Sequence, residues 1–279
     1  MDILSAVLLG IIQGASEFLP VSSSAHLALC HSFFGMVSPD FYPGFDVMLH
    51  LATLLAVFFA YRRDMPQIIK GYFTFPYKLV KNRFSLDSLD VNERTAAFSA
   101  LATVPAVIAA LLGASELSDS LSYRPAAVGA LLIINGILLL ISDFCKEGKY
   151  TIYTVGYRHA LAAGLFQALA TVPGISRSGA TVTASRLSGV LREDAVRLSF
   201  MMSVPAVLGA VVLKTPDLVR CQPTFDMITV YLCGCAAALA VGLCCIKFII
   251  FISNKPRFKY FSVYCFILGA YAVYRGLCG

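Results

Sequence analysis

The chain has 279 residues, 58% of them hydrophobic and 14% charged, with a formal net charge of +6 and a mean hydropathy of +0.77. Soluble domains carry about 25% charged residues, so this balance excludes an ordinary globular domain and implies a polytopic membrane protein. The positive excess lies in links between apolar blocks, with no basic face interleaved with aromatics, which excludes a nucleic-acid partner.

The start, Met1-Asp2-Ile3-Leu4, has no basic n-region, and no small-residue cleavage site follows, so the segment is expected to be retained. The first apolar region, about 3–37, is broken near its middle and carries charge. Polar breaks at membrane depth are tolerated when protein or a water-filled cavity surrounds them, so a re-entrant helical hairpin is expected. It reads Gly10-Ile11-Ile12-Gln13-Gly14-Ala15-Ser16-Glu17-Phe18-Leu19-Pro20-Val21-Ser22-Ser23-Ser24-Ala25-His26. A carboxylate at this depth costs about 2.5–3.5 kcal/mol and persists where it pairs or does chemistry. Gln13 and Glu17, four apart, share one helix face. Pro20 ends that helix; three serines and His26 follow, where the N–H groups of a new helix suit a phosphate.

A span is expected at about 46–62; on it Asp46 and His50, like His31 before it, are read as structural. A basic loop of about 62–95 follows, with Arg62, Arg63, Lys70, Lys78, Lys81, Arg83 and Arg94. Spans at about 96–114 and 125–143 lead to a second broken region, about 157–190, also read as a re-entrant hairpin. Its turn is Pro173-Gly174-Ile175-Ser176-Arg177-Ser178-Gly179-Ala180-Thr181. Gly174 and Gly179 allow close approach of backbone to a ligand. Ser176, Ser178 and Thr181 supply hydroxyls around Arg177, whose planar fork matches phosphate oxygens. Arg186 either lines the site or meets lipid head groups. Three more spans follow, at about 196–214, 226–252 and 260–277. Cys233, Cys235, Cys244, Cys245 and Cys265 lie inside apolar blocks as small hydrophobes, and without a C-x-x-C pair a zinc site is not expected.

Basic residues decide the orientation. The links at 62–95, after 143 and near 255 are rich in Lys and Arg; placing them in the cytoplasm satisfies the positive-inside rule and puts both termini outside. The two broken regions then enter from opposite faces. Gly10-Ile11-Ile12-Gln13 matches Gly164-Leu165-Phe166-Gln167, and at the same offset Ser22 and Ser24 match Ser176 and Ser178. Val104-Pro105-Ala106-Val107 recurs as Val204-Pro205-Ala206-Val207. The expected fold is all-α and integral to the membrane, one domain over 1–279. It has six transmembrane helices plus two re-entrant helical hairpins in an inverted-topology repeat, an arrangement that forms polar sites where broken helices meet.

Together the two turns offer a phosphate clamp, a hydroxyl or imidazole nucleophile, a carboxylate and an acid/base histidine. Phosphoryl transfer mainly needs positioning and neutralised charge, and these residues provide both. No P-loop string is present, so nucleotide hydrolysis has no support.

At these motifs the sequence resembles the undecaprenyl-diphosphate phosphatase family associated with bacitracin resistance. The first hairpin is similar to that family's [E/Q]-x-x-x-E motif followed by P-V-S-S and a histidine, and the second to its P-G-x-S-R-S-x-A-T motif; the resemblance runs over essentially the whole chain. It implies removal of the terminal phosphate from undecaprenyl diphosphate, recycling the peptidoglycan carrier in the bacterial inner membrane. It also implies functional roles for Glu17, Ser23, His26 and Arg177 and dependence on magnesium or calcium. Gln13 is a permitted variant that removes one carboxylate, which weakens a cation held jointly by two acids. In the mechanism so expected, Arg177 and the helix N-termini bind the diphosphate, and Ser23 or His26 attacks the distal phosphorus. Glu17 orients or deprotonates the attacker, or binds the metal. Gln13, Ser22, Ser24, Ser176, Ser178 and Thr181 complete the substrate-binding set. The partners expected are a polyprenyl diphosphate lipid and the membrane, with a homodimer allowed. The competing expectation is a polyprenyl-phosphate transporter or flippase, since inverted repeats with broken helices also serve alternating access. A third reading, the acid-phosphatase type of lipid phosphatase, lacks its later S-R-x-x-x-x-x-H-x-x-x-D string.

Overall fold

The computed structural model describes residues 2–34, 42–80, 89–220 and 225–278, with backbone alone at 42–43, 79–80, 214–220 and 226. Residues 35–37 of the first hairpin, Lys81 and Arg83 of the basic segment, and the side chains of Lys214 and Arg220 lie outside the described residues. Among the described residues the regular elements are helices, apart from one isolated parallel bridge between Tyr150 and Val190.

Helix α1 (Ile3–Phe18) starts at Asp2, whose carboxylate accepts the Ser5 N–H at 2.9 Å. It stops at Leu19, held extended (φ −66°, ψ 139°) because a residue before proline is pushed out of the helical region. Helix α2 (Ser23–Phe34) follows the break, and α3 (Tyr42–Ala60) and α4 (Met65–Val80) come next. Helix α5 (Val91–Ala109) opens with an Asp90/Glu93 capping box and runs through a π turn (Ala110–Ala114) into α6 (Ser115–Ser122). Then come α7 (Pro125–Phe144), α8 (Tyr157–Leu169), α9 (Arg177–Leu187), α10 (Arg192–Arg220), α11 (Phe225–Ile252) and α12 (Lys259–Cys278).

The α5–α6 run, α7, α10, α11 and α12 are each long and apolar enough to cross a bilayer; α3 and α4, bent by 105° at residues 61–64, make a sixth when taken together. The six apolar blocks read from sequence all fall on these helices. The basic segment of 62–95 is not simply a loop. Met65, Ile68 and Gly71 are buried at helical spacing while Gln67, Ile69 and Lys70 face outward, so α4 forms as an amphipathic helix packed on α5. Its charges conceal that stripe from a reading based on span-length hydropathy.

Helix pairs approach backbone to backbone where a glycine faces the partner's carbonyl. A Cβ on Gly10 would lie 2.2 Å from the Gly234 carbonyl oxygen, and one on Gly164 would lie 2.6 Å from that of Ala102. Small residues permit such contact in membrane helices, where packing rather than water drives association. So α1 lies on α11 as α8 lies on α5. Helices α7 and α12 meet through Gly129 and Gly269, each of which would place a Cβ within 2.7 Å of the other's carbonyl oxygen. Under this exchange α5 corresponds to α11, and α3 to α10. The Val-Pro-Ala-Val match therefore joins helices, α5 and α10, that do not correspond.

The charged ends are tied down by ion pairs. Asp143 accepts from Arg192 at 2.5 Å and from the Lys259 N–H at 2.8 Å, and Arg197 meets Asp64 at 2.8 Å. Arg186, whose side chain is fully buried, pairs with Glu147 and donates to the carbonyls of Cys145, Lys146 and Val190. It neither lines the site nor meets head groups; it locks the segment after α7 to the end of α9. The described cysteines are free thiols.

Candidate functional site

Both broken regions stop and restart in the same way. Ser22, before α2, accepts the Ala25 N–H on Oγ (3.4 Å), and its Oγ contacts Ser24 Oγ at 3.2 Å. Ser176, before α9, accepts the Gly179 N–H on Oγ (3.1 Å), and its Oγ contacts Ser178 Oγ at 3.0 Å. Serine suits this place because its hydroxyl satisfies an amide that the first turn leaves without a partner. The residues that follow, Ser23 and Arg177, are thus equivalent first residues of α2 and α9.

The breaks touch. The Gly174 N–H donates to Ser22 Oγ at 3.2 Å, with Gly174 at φ +119°, where a Cβ would also strike Leu131. Ser22 itself sits at φ +70°, a costly conformation for a residue with a side chain. It is held there from both sides, because the His26 ring donates from Nδ1 to its carbonyl at 2.7 Å. Asn135 of α7, fully buried, is the second staple: its Oδ1 accepts the Ser176 N–H at 3.0 Å and its Nδ2 donates to the Pro20 carbonyl at 2.9 Å. Sequence reading passed over this residue, although an amide inside a run of Leu, Ile and Gly is a signal in itself. Asn135→Leu removes both bonds and leaves buried polar groups in each break, each costing about 1–3 kcal/mol. A lower unfolding midpoint in detergent is expected, and an unchanged midpoint would remove the staple from this account.

Where the breaks meet, Glu17 is the hub. Its Oε1 accepts from Arg177 at 2.5 Å; its Oε2 accepts from Ser23 Oγ at 2.8 Å and from Gln13 Nε2 at 3.0 Å. His50 Nδ1 lies 3.3 Å from the same Oε2. Glu17 is nearly buried and Arg177 is about one-fifth exposed, so the pair is a desolvated clamp with one open side. That side faces a cavity of about 270 Å³. Glu17, Ser22, Ser23, Ser24, Ser176 and Arg177 line it, with Asp46 and His50 from α3 and an apolar wall from Ala206 to Val211 of α10.

Of the residues singled out from sequence, Gln13, Ser178 and Thr181 stand behind this wall. Gln13 is fully buried against Glu17, Ser178 supports Ser176, and Thr181 bonds Ser199 Oγ of α10 at 2.7 Å. His26 is directed elsewhere: its Nε2 accepts from the Tyr264 hydroxyl of α12 at 2.7 Å, with the two rings stacked. The imidazole beside the carboxylate is His50. Its signal was the pairing of Asp46 with His50 at helical spacing, the same four-residue step that joins Gln13 to Glu17.

The arrangement can receive an anion between a guanidinium and two helix N-termini, with a hydroxyl already bonded to a carboxylate. Comparison with known proteins agrees with that chemistry. The chain is 40% identical over 270 residues to an undecaprenyl-diphosphatase of Alcanivorax borkumensis, covering 96% of this chain and 97% of the relative. It is 35% identical over 274 residues to one from Desulfatibacillum aliphaticivorans, covering 97% of each. The family model of the bacitracin resistance protein BacA matches residues 6–271, so the chain belongs to the BacA family.

Proposed function

We infer that this chain is an undecaprenyl-diphosphate phosphatase of the bacterial inner membrane. It hydrolyses the lipid diphosphate to undecaprenyl phosphate and phosphate, which recycles the carrier for peptidoglycan synthesis and confers resistance to bacitracin. One observation carries the reading beyond family membership: Ser23 and Arg177, the equivalent first residues of two broken-helix restarts, converge on a single carboxylate in one cavity.

Those contacts support the following mechanism. In the resting site Glu17 holds both Arg177 and Ser23. An arriving diphosphate competes for the guanidinium, which binds phosphate oxygens as readily as a carboxylate. Arg177 moves to the substrate, and Glu17, relieved of its cation, takes the Ser23 proton. Ser23 Oγ bonds to the distal phosphorus as the anhydride P–O bond breaks, and undecaprenyl phosphate leaves with those electrons. Water then attacks the phosphoserine, the P–Oγ bond breaks as Glu17 returns the proton to Ser23 Oγ, and phosphate leaves carrying the hydrogens of that water. His26 takes no part in the attack; it holds the strained Ser22 carbonyl in place.

A divalent cation was implied by the resemblance. Among the described residues no three His, Cys, Asp or Glu side chains converge on one point. Glu17 already accepts from Arg177, Ser23 and Gln13, and Gln13 stands where a second carboxylate would. These residues do not form a cation cage, and no step above is routed through a metal. We propose that magnesium or calcium arrives on the diphosphate itself, where it offsets the substrate's charge.

For topology, we propose six transmembrane segments with the α1–α2 and α8–α9 units as re-entrant hairpins of an inverted repeat, both termini outside. The exchange of α1 on α11 for α8 on α5 supports it. The cavity wall uses the first half of α3 and the second half of α10, both remote from the basic links, so the site opens outward. The apolar α10 wall suits the prenyl chain.

The test is phosphate release from undecaprenyl diphosphate by purified protein in detergent, without vesicles. Steady release is expected. No release, together with movement of the lipid across vesicle membranes, would sink the phosphatase reading in favour of a transporter.

A further inference from the structure

A second cavity, of about 560 Å³, lies where α3 bends into α4. His50 lines the cavity around Glu17 and Ala60 lines this one; at a rise of about 1.5 Å per residue they stand about 15 Å apart along α3. The two spaces share no lining residue. Arg62 and Arg63 of the bend and Lys247 of α11 line the second cavity, with Phe59 and Leu243 as apolar lining beside them. Three cations gathered around one space repel one another, so the arrangement is costly unless an anion answers them. Asp64, the acid among the lining residues, is already bonded to Arg197 of α10 at 2.8 Å. Among the described residues Arg62, Arg63 and Lys247 form no ion pair. Snorkelling would explain a single exposed lysine in the apolar run from Cys244 to Phe251. It does not explain why that lysine shares a cavity with two arginines from another part of the chain.

We propose that this cavity is a second anion site, which takes the phosphate of an anionic membrane lipid. Arg62 and Arg63 offer planar forks to the phosphate oxygens, and Lys247 adds a point charge. Phe59 and Leu243 give the start of the acyl chain an apolar surface. Basic pockets between membrane helices hold lipid phosphate in this way. The lipid is not a substrate: it neutralises the three cations and ties the α3–α4 bend to α11. Free phosphate offers the same chemistry without the chain, so the two sources are told apart by experiment.

Wild type, Arg62→Gln, Arg63→Gln and Lys247→Gln are placed in nanodiscs of phosphatidylcholine with a minor share of phosphatidylglycerol. The lipid each protein keeps on transfer to detergent is then identified by native mass spectrometry. Wild type is expected to keep phosphatidylglycerol in preference to phosphatidylcholine. Each variant is expected to keep about fivefold less, the scale on which one basic residue attracts anionic lipid. All three side chains are exposed, so the variants are expected to hold the wild-type unfolding midpoint in detergent without anionic lipid. Lys70→Gln removes an exposed cation of α4 that does not line the cavity, and is expected to match wild type. An equal loss in Lys70→Gln would mean diffuse attraction to the membrane surface and would overturn the site. Retention unchanged in all three cavity variants would overturn it too. Calorimetry with inorganic phosphate separates the sources: free phosphate bound by wild type but not by the cavity variants, with no preference between the two lipids, would overturn the lipid as occupant.

Discussion

Arg177→Ala is expected to lower phosphate release from undecaprenyl diphosphate by on the order of 10³-fold while the protein still folds. Fixed cationic donors to a transferring phosphoryl group contribute on this scale, because charge neutralisation is most of what the reaction needs. The variant loses the clamp at both stages, the resting bond to Glu17 and the substrate-bound state. Folding is spared because Glu17 keeps Gln13, Ser23 and His50 as neighbours, and because α9 keeps its Ser176 cap. Arg177→Lys separates charge from shape. A lysine keeps the charge but cannot present a planar fork, so activity is expected to recover only in part, leaving a deficit of about 10- to 100-fold. Release within tenfold of wild type in the alanine variant would take Arg177 out of the mechanism.

Ser23→Ala is expected to give the second large effect, a fall of at least about 10³-fold, because in the proposed mechanism it removes the attacking oxygen. The serine already bonds the Glu17 carboxylate, the base in the proposed mechanism, at 2.8 Å, and it lines the cavity. His26, the other nucleophile considered from sequence, has its two ring nitrogens committed to the Ser22 carbonyl and the Tyr264 hydroxyl. The check is acid quenching during turnover of substrate labelled at the distal phosphate. Label is expected on the wild-type protein at Ser23 and absent from Ser23→Ala. An inactive Ser23→Ala together with an unlabelled wild type would point to direct attack by water and reduce Ser23 to a binding group.

The two predictions concern a matched pair. Ser23 and Arg177 hold the same place in the two restarts, one step past Ser22 and Ser176, whose hydroxyls cap the two helices alike. One backbone device thus occurs twice, and the side chain at its first helical residue differs between the two. On one side it is a hydroxyl, on the other a guanidinium. A carboxylate from the first copy then joins them.

Much of this was legible in the linear chain because the bilayer is a demanding solvent. Spans must be long and apolar, so the six apolar blocks stood out; a broken polar stretch must have a reason, so Glu17, Ser23 and Arg177 stood out as well. Alternation of basic links gave an expectation for orientation. The amphipathic α4 was hidden, since its stripe is short and its Lys and Arg resemble those of a link.

What only the tertiary structure decided is which groups meet. His26 and His50 are both imidazoles near serine-rich or acidic helices, and nothing in their spacing ranks them; packing turns one toward Tyr264 and brings the other to Glu17. Asn135 becomes a staple only when α7 lies against both breaks, 115 residues from one partner and 41 from the other. Local sequence governs where a helix starts, stops and breaks, because those depend on neighbouring φ, ψ and capping groups. Contacts across the chain depend on how closely backbones approach, and here the glycines of α1, α8, α7 and α12 set that distance.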